Sequence, residues 1–511
     1  MPGTTTVEIN TAAFKGSISI NTGLYIDGKW VDPVEPDTID VINPVSEALT
    51  PALATAKKIA AVSIGSSKDV DVAVTAAQKA YKTSWGLKCP GSKRGKLISR
   101  LADLLERDID QFAALESINA GKPFQIAKNS DLMGSIQCIR YFGGWADKIH
   151  GKTIESSENK LAYTRHEPYG VVGQIIPWNY PMLMLSWKVG PALATGNCIV
   201  LKPSEMTPLS ALKFAELVQE AGFPPGVFNI VNGYGTTVGQ AITEHMKISK
   251  VAFTGSTLVG RKVLEASART NLKVVTLELG GKSPTVIFDD CNLEQAIKWT
   301  SHALYANMGQ SCVAGSRIFV QEGIYDQFMD KFTAVVKALG QATGDPFEAS
   351  TQHGPQASQV QFDRIMNYIA SGKESGATVH IGGERHGTEG YFIQPTIFTN
   401  VTPDMKIVRE EIFGPVAAVQ KFKTEEDVIA AANDTEYGLS ACVFSENVGR
   451  ALRVAHAFES GSAFVNSAQL IESSIPFGGY KSSGIGREHG EYAIETYTQV
   501  KGVHINLGLM I

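Results

Sequence analysis

Between residues 170 and 281 short β-type runs and helical stretches take turns along the chain. The runs are VVGQIIPW, CIVLKP, VFNIVNG, SKVAFTG and KVVTLELGG, and helical patterns cover 182–195, 208–221, 236–246 and 257–269 between them. This alternation constrains the fold more than any other feature. A strand that crosses back over a helix before pairing must pair in parallel, and a parallel sheet needs both faces covered. The pattern restarts after Gly281 with TVIFDD, LEQAIKWTSHALYAN, RIFVQEG and YDQFMDKFTAVVKAL, then SACVFS, a helix over 447–458 and SAFVN. The expected fold is α/β with two doubly wound lobes, the first Rossmann-like, and ligands favour the carboxyl ends of such strands.

The flanks read differently. Residues 1–67 are polar and suggest short strands and loops, 69–149 are helical by period, and 151–168 alternate like an exposed hairpin. The tail YTQVKGVHINLGL alternates like a strand but lies past the last helix, so it is expected to pair with another subunit. A length of 511 residues, with 43% hydrophobic and 19% charged residues, implies two or three folded domains. The net charge of −5 gives no footprint for nucleic acid, and no apolar run is long enough to span a membrane. The six scattered cysteines lack CxxC or metal-ligand spacing, and the start lacks a targeting pattern. A reduced, cytoplasmic protein without a metal site is expected.

Several short segments could carry chemistry. FTGSTLVG ends a strand at Thr254 and opens a helix at Gly255-Ser256, a place suited to a pyrophosphate or simply a packing turn. LKPSE puts Lys202 and Glu205 at a strand end, where they could hold a ribose or form a solvated surface turn. PWNYP sets Asn179 in a rigid turn as an oxyanion donor or as ordinary turn chemistry. TLELGG buries Glu278 in an apolar run, either as a general base with raised pKa or as half of an ion pair. NMGQSCVAGSR places Cys312 among small residues, with Gly309 and Gly315 expected to let backbone approach substrate closely. The alternative is a small buried cysteine.

Together these motifs resemble the NAD(P)-dependent aldehyde dehydrogenase superfamily. VTLELGGKSP is followed 34 positions on by the cysteine of GQSCVAGSR, and PWNYP, LKPSE, FTGSTLVG, EEIFGPV and PFGGYKSSGIGREHG occur in the family's order. The resemblance runs from about Gly23 to Val503 and is nearest the homotetrameric, broad-specificity class. It implies an NAD-binding domain over 20–149 and 169–281, a catalytic domain over 282–482, and oligomerisation segments at 150–168 and 492–508. It implies Cys312 as nucleophile, Glu278 as base, Asn179 in the oxyanion hole, and Lys188 and Glu488 as a proton relay. As cofactor contacts it implies Ile175, Ile176, Pro177, Trp178, Lys202, Glu205, Gly235, Gly239, Phe253, Gly255, Ser256, Leu279, Gly280, Glu411 and Phe413. The aldehyde tunnel is implied at Tyr180, Leu183, Trp187, Ala306, Ile471 and Phe477.

The implied reaction is oxidation of a small-molecule aldehyde to the acid with NAD, NADP being disfavoured by Glu205. Cys312 attacks as a thiolate whose pKa the pocket lowers, and Glu278 activates water against the thioester. Several relatives carry a bulky aromatic where this chain has Ala306, so a wider tunnel and a preference for medium-chain or aromatic aldehydes are expected. Residues 467–475 are expected to set substrate choice. One rival is a cysteine esterase using the same thiol, which leaves LKPSE, FTGSTLVG and EEIFGPV without a role. The other is a non-catalytic NAD-binding protein, disfavoured because Cys312 and Glu278 are both present.

Overall fold

The structure is a computed structural model that describes residues 3–45 and 58–510; of the stretch read as strands and loops, 1–2 and 46–57 lie outside the described residues. The first lobe is built on β1 (Val171–Ile175), β2 (Cys198–Lys202), β3 (Phe228–Ile230), β4 (Lys250–Thr254) and β5 (Val274–Glu278). They lie side by side in the order β5-β4-β1-β2-β3, all parallel. The antiparallel hairpin Leu24–Ile26/Lys29–Val31 extends the β3 edge, and Gly484–Ile485 extends the β5 edge. Every residue of β1, β2 and β4 is buried, as a sheet covered on both faces requires. Helices α1 (Pro181–Thr195), α2 (Leu209–Ala221) and α3 (Thr257–Arg269) make the crossovers near the expected positions.

The order reverses at β1, which has β2 on one side and β4 on the other. Ile175 pairs with Lys202 across one ladder and with Phe253 across the other, and Thr254 pairs with Glu278. The segments after these strands therefore leave the sheet along one edge, at the topological switch point where such folds bind ligands.

The second lobe holds β6 (Pro284–Ile287), β7 (Arg317–Gln321), β8 (Thr396–Thr399), β9 (Val416–Phe422), β10 (Ser440–Phe444) and β11 (Ser462–Val465). These are parallel in the order β8-β9-β7-β6-β10-β11, with Thr378–Ile381 antiparallel at the β8 edge. Helix α4 (Leu293–Tyr305) follows β6 and delivers the chain to the cysteine loop.

The tail is not an orphan. Strand Thr498–Asn506 pairs antiparallel along its full length with Lys160–Pro168 of its own chain, from Thr498↔Pro168 to Asn506↔Lys160. Thr153–Ser157 completes this three-stranded arm, so the expected hairpin is present. The tail's partner lies more than 300 residues upstream, a pairing that local alternation cannot reveal. Among the described residues no helix is long and apolar enough to cross a membrane.

Candidate active site

A cavity of about 310 Å³ opens at the carboxyl edge of the first sheet and is walled on its far side by the second lobe. Cys312, Glu278 and Asn179, from three distant parts of the sequence, all border it.

The cysteine loop is tightly determined. Helix α4 ends at Tyr305, and Asn307 (φ 51°), Met308 (φ 57°) and Gly309 (φ 73°) follow in left-handed conformation. Two successive non-glycine residues in that region are strained, and such strain persists only where surrounding structure enforces it. A Cβ on Gly309 would lie 2.2 Å from the Gly414 carbonyl oxygen, and one on Gly315 would lie 2.4 Å from Thr285 Oγ1. These glycines thus serve contact between chain segments, not close approach to substrate as the sequence suggested. Gly281 acts in the same way, since its Cβ would stand 2.2 Å from the carbonyl oxygen of Cys312. Gln469, itself in the cavity wall, ties the loop down, donating from Nε2 to the Ala303 and Val313 carbonyls at 2.6 and 3.3 Å.

Electrostatics correct one expectation. The pocket does not lower the Cys312 pKa. Burial, reinforced by the nearby Glu411 and Glu278 carboxyls, pushes the thiol up to about 12. A thiolate is disfavoured by removal from water and by like charge, and backbone N–H groups offset this only in part.

Glu278 ends β5 and is buried, with no hydrogen-bond partner at Oε2. Burial raises its pKa well above the ordinary carboxylate value; Glu488 raises it further, while Lys188 and Arg487 pull it down. Lys188 and Glu488 lie behind the wall as a buried ion pair, Nζ to Oε1 2.7 Å, and bear on Glu278 through their charges. Asn179 is buried, and its Nδ2 donates to the Gln310 carbonyl at 2.9 Å, leaving one amide hydrogen for another acceptor.

On the sheet side, Pro177, Trp178, Gly255, Ser256, Leu279 and Gly280 border the cavity, as do Glu411 and Phe413 of the opposing lobe. Ser256 caps α3, accepting a hydrogen bond from the Val259 N–H. Glu411 Oε1 accepts the Gly281 N–H at 2.9 Å, and burial lifts its pKa to about 7. Gly280 is needed for this approach, since its Cβ would fall 2.3 Å from Glu411 Oε2. The Trp178 and Phe413 rings meet edge-on at 5.3 Å. Lys202 and Glu205 lie further along the edge and pair at 3.0 Å, with Lys202 almost fully buried, so the segment is not a solvated turn. Gly239 lies beside Lys202, and Gly235 has open space at its Cβ position. Ile175, Ile176 and Phe253 are buried at the strand ends, behind the lining.

The six residues assigned to the tunnel, Tyr180, Leu183, Trp187, Ala306, Ile471 and Phe477, all border the same cavity. Trp187 packs edge-on against Phe477 at 5.0 Å and His489 at 4.1 Å.

The sequence model of the aldehyde dehydrogenase family matches residues 30–503. The chain belongs to the aldehyde dehydrogenase family. It is 61% identical to an aldehyde dehydrogenase of Agaricus bisporus over 99% of each chain. It is also 49% identical to aldehyde dehydrogenase 1A1 of Gallus gallus over 95% of this chain and 94% of that one. The solved NAD+ complex of an aldehyde dehydrogenase from Bacillus cereus superposes with a TM-score of 0.92. It shares 45% identity and covers 95% of this chain and 97% of that one.

Other residues of this aldehyde dehydrogenase site escape sequence reasoning. Lys122 and Asp131 form a buried ion pair in the cavity wall, and Lys122 Nζ sits 3.9 Å from the centre of the Tyr180 ring. Their nine-residue spacing has no meaning along a helix, so nothing in the sequence flags them. His489 borders the cavity beside Trp187 with neither ring nitrogen in a well-formed hydrogen bond. Asn307 had a legible signal, because asparagine shortly before glycine often marks left-handed backbone.

Proposed function

We propose that this chain oxidises aldehydes to carboxylic acids with NAD, through a covalent intermediate on Cys312. The observation that carries the reading is the meeting of Cys312, Glu278 and Asn179 around one cavity at the switch point of a dinucleotide-type sheet.

The residues present fit NAD. The N-terminus of α3 at Ser256 offers free N–H groups and a favourable dipole for a pyrophosphate. Lys202, the last residue of β2, and Glu205 just past it pair at 3.0 Å with Gly239 beside Lys202, and would hold the adenosine ribose. Glu205 places negative charge where a 2′-phosphate would sit, which favours NAD over NADP. Glu411 and Phe413 border the cavity near Trp178 and would hold the nicotinamide ribose and ring. NAD, when bound, accepts the hydride from the substrate carbon, and the positive charge of its ring favours the thiolate.

The Cys312 thiol loses its proton to water, the thiolate Sγ adds to the aldehyde carbon, and the carbonyl oxygen takes up the negative charge. The second Nδ2 hydrogen of Asn179 and the N–H of Cys312 hold that oxyanion, the largest single source of rate in sites of this kind. Loss of hydride leaves a thioester on Cys312. Glu278, its second oxygen unpartnered, takes a proton from water as the water attacks the thioester. Its raised pKa makes the carboxylate a stronger base than an exposed glutamate. Lys188 and Glu488 pass that proton away from the site.

The wide position at Ala306 and the aromatic wall of Tyr180, Trp187 and Phe477 support a preference for medium-chain or aromatic aldehydes. The enzyme works in the cytoplasm as a homotetramer, with domains divided as the resemblance implies. The arm made by 150–168 and 492–508 exposes Val500, Ile154 and Leu161, apolar area that assembly would cover. The test is a panel of acetaldehyde, hexanal and benzaldehyde with NAD or NADP, followed by absorbance of the reduced cofactor. Hexanal and benzaldehyde should exceed acetaldehyde in kcat/KM, and Cys312→Ala should be silent. No signal with any aldehyde would remove the reading, and a higher kcat/KM for acetaldehyde would remove the preference.

A further inference from the structure

Asn307 sits five residues before the cysteine, almost fully buried in the cavity wall and strained at φ 51° and ψ 35°. Its side-chain Nδ2 donates to two carbonyls at once, that of Asn179 at 2.9 Å and that of Gln310 at 3.1 Å. The Gln310 carbonyl also accepts from Asn179 Nδ2 at 2.9 Å. Gln310 returns the contact, its N–H and Nε2 both donating to the Asn307 carbonyl at 3.0 and 3.2 Å. Lys122 Nζ adds a longer contact to the Asn179 carbonyl at 3.4 Å. The turn that carries Asn179 and the loop that carries Cys312 are thus joined through two amides, those of Asn307 and Asn179, although 128 residues separate Asn307 from Asn179.

We propose that Asn307 is a positioning residue whose amide fixes the distance between the Asn179 amide and the Cys312 N–H, the two donors of the oxyanion hole. The proposal rests on the oxyanion reading given above. A left-handed backbone at a non-glycine residue is tolerated where the fold enforces it and clusters at functional sites. Asparagine accepts that conformation more readily than most side chains while supplying two N–H donors. Glycine would relieve the strain but drop the clamp, and aspartate would keep the shape while setting a carboxylate against two carbonyls. Donors held slightly out of place lose most of their value, because stabilisation depends on preorganised geometry.

Two variants, Asn307→Gly and Asn307→Asp, test it. With hexanal and NAD both should lose about 10–100-fold in kcat/KM, mostly through kcat, less than the roughly 10²–10³-fold expected for removing an oxyanion donor outright. Alkylation of Cys312 by iodoacetamide places no charge on an oxygen in the hole, so its rate should stay within about threefold of the unsubstituted chain. Because glycine suits the left-handed backbone, Asn307→Gly should melt no lower than the unsubstituted chain by more than a few degrees. Turnover within threefold of normal in both variants would overturn the proposal. So would an alkylation rate that falls in parallel with turnover, which would mean that the loop has merely collapsed. No aldehyde oxidation by the unsubstituted chain would sink the oxyanion reading itself and the proposal with it.

Discussion

Replacing Gly281 by alanine adds one carbon beside Cys312, and the structure fixes where that carbon goes. It would lie 2.2 Å from the carbonyl oxygen of Cys312 and 3.3 Å from Leu439 Cβ. The first contact is with backbone, so no side chain can swing aside, and relief requires the Cys312 peptide to retreat. Reaching ordinary contact takes a shift of about 1 Å, and a misplacement of that size costs on the order of 10² in rate where geometry is critical. Overpacking of this kind also costs about 1–3 kcal/mol of stability. Steady-state reduction of NAD with hexanal should therefore show kcat/KM roughly 100-fold down in Gly281→Ala. A thermal melt should report a modest loss over the same substitution. Gly144→Ala is the control, because that glycine lies in the helix Met133–Trp145 and nothing stands within 4 Å of its added carbon. That variant should be fully active and more stable by about 0.5–1 kcal/mol. If Gly281→Ala stays within threefold of normal activity, the idea that the TLELGG segment sets the position of the nucleophile is wrong.

Glu278 must be ionised to take a proton from water, and burial holds its pKa above the ordinary carboxylate value, so thioester hydrolysis should weaken as pH falls through that raised pKa. Glu488→Gln removes a charge that raises it and leaves Lys188, which lowers it, so the acid limb of a single-turnover pH profile should move to lower pH; a limb that stays or moves upward would contradict the electrostatic account. Ala306→Phe narrows the cavity, and kcat/KM for benzaldehyde should fall at least about tenfold relative to acetaldehyde, with an unchanged ratio ruling out Ala306 as a wall of the aldehyde path.

The alternation of strand and helix made both parallel sheets legible in the sequence, because period and length carry that information directly. The switch point followed from it, since β1, β2, β4 and β5 each end in a segment with unusual chemistry. What remained hidden depends on long-range pairing. The tail strand finds Lys160–Pro168 of its own chain through a register no local pattern encodes. The thiol's raised pKa arises first from burial and then from Glu411 and Glu278, which approach Cys312 only in the folded chain. Lys122 and Asp131 meet across a helical segment, and Asn307 meets Asn179 over a gap of 128 residues in sequence, so neither link could be read from spacing. Gly309 and Gly315 were visible as special positions, but their neighbours were not.

The central claim is that aldehyde carbon passes through a thioester on Cys312 that Glu278 helps water to break. Glu278→Gln mixed with hexanal and NAD should give one equivalent of reduced cofactor per site in a burst and then stall. Intact-mass and peptide analysis of the stalled protein should find a hexanoyl group on the peptide holding Cys312. Continued steady turnover in that variant, or an acyl group on any other residue, would contradict the account.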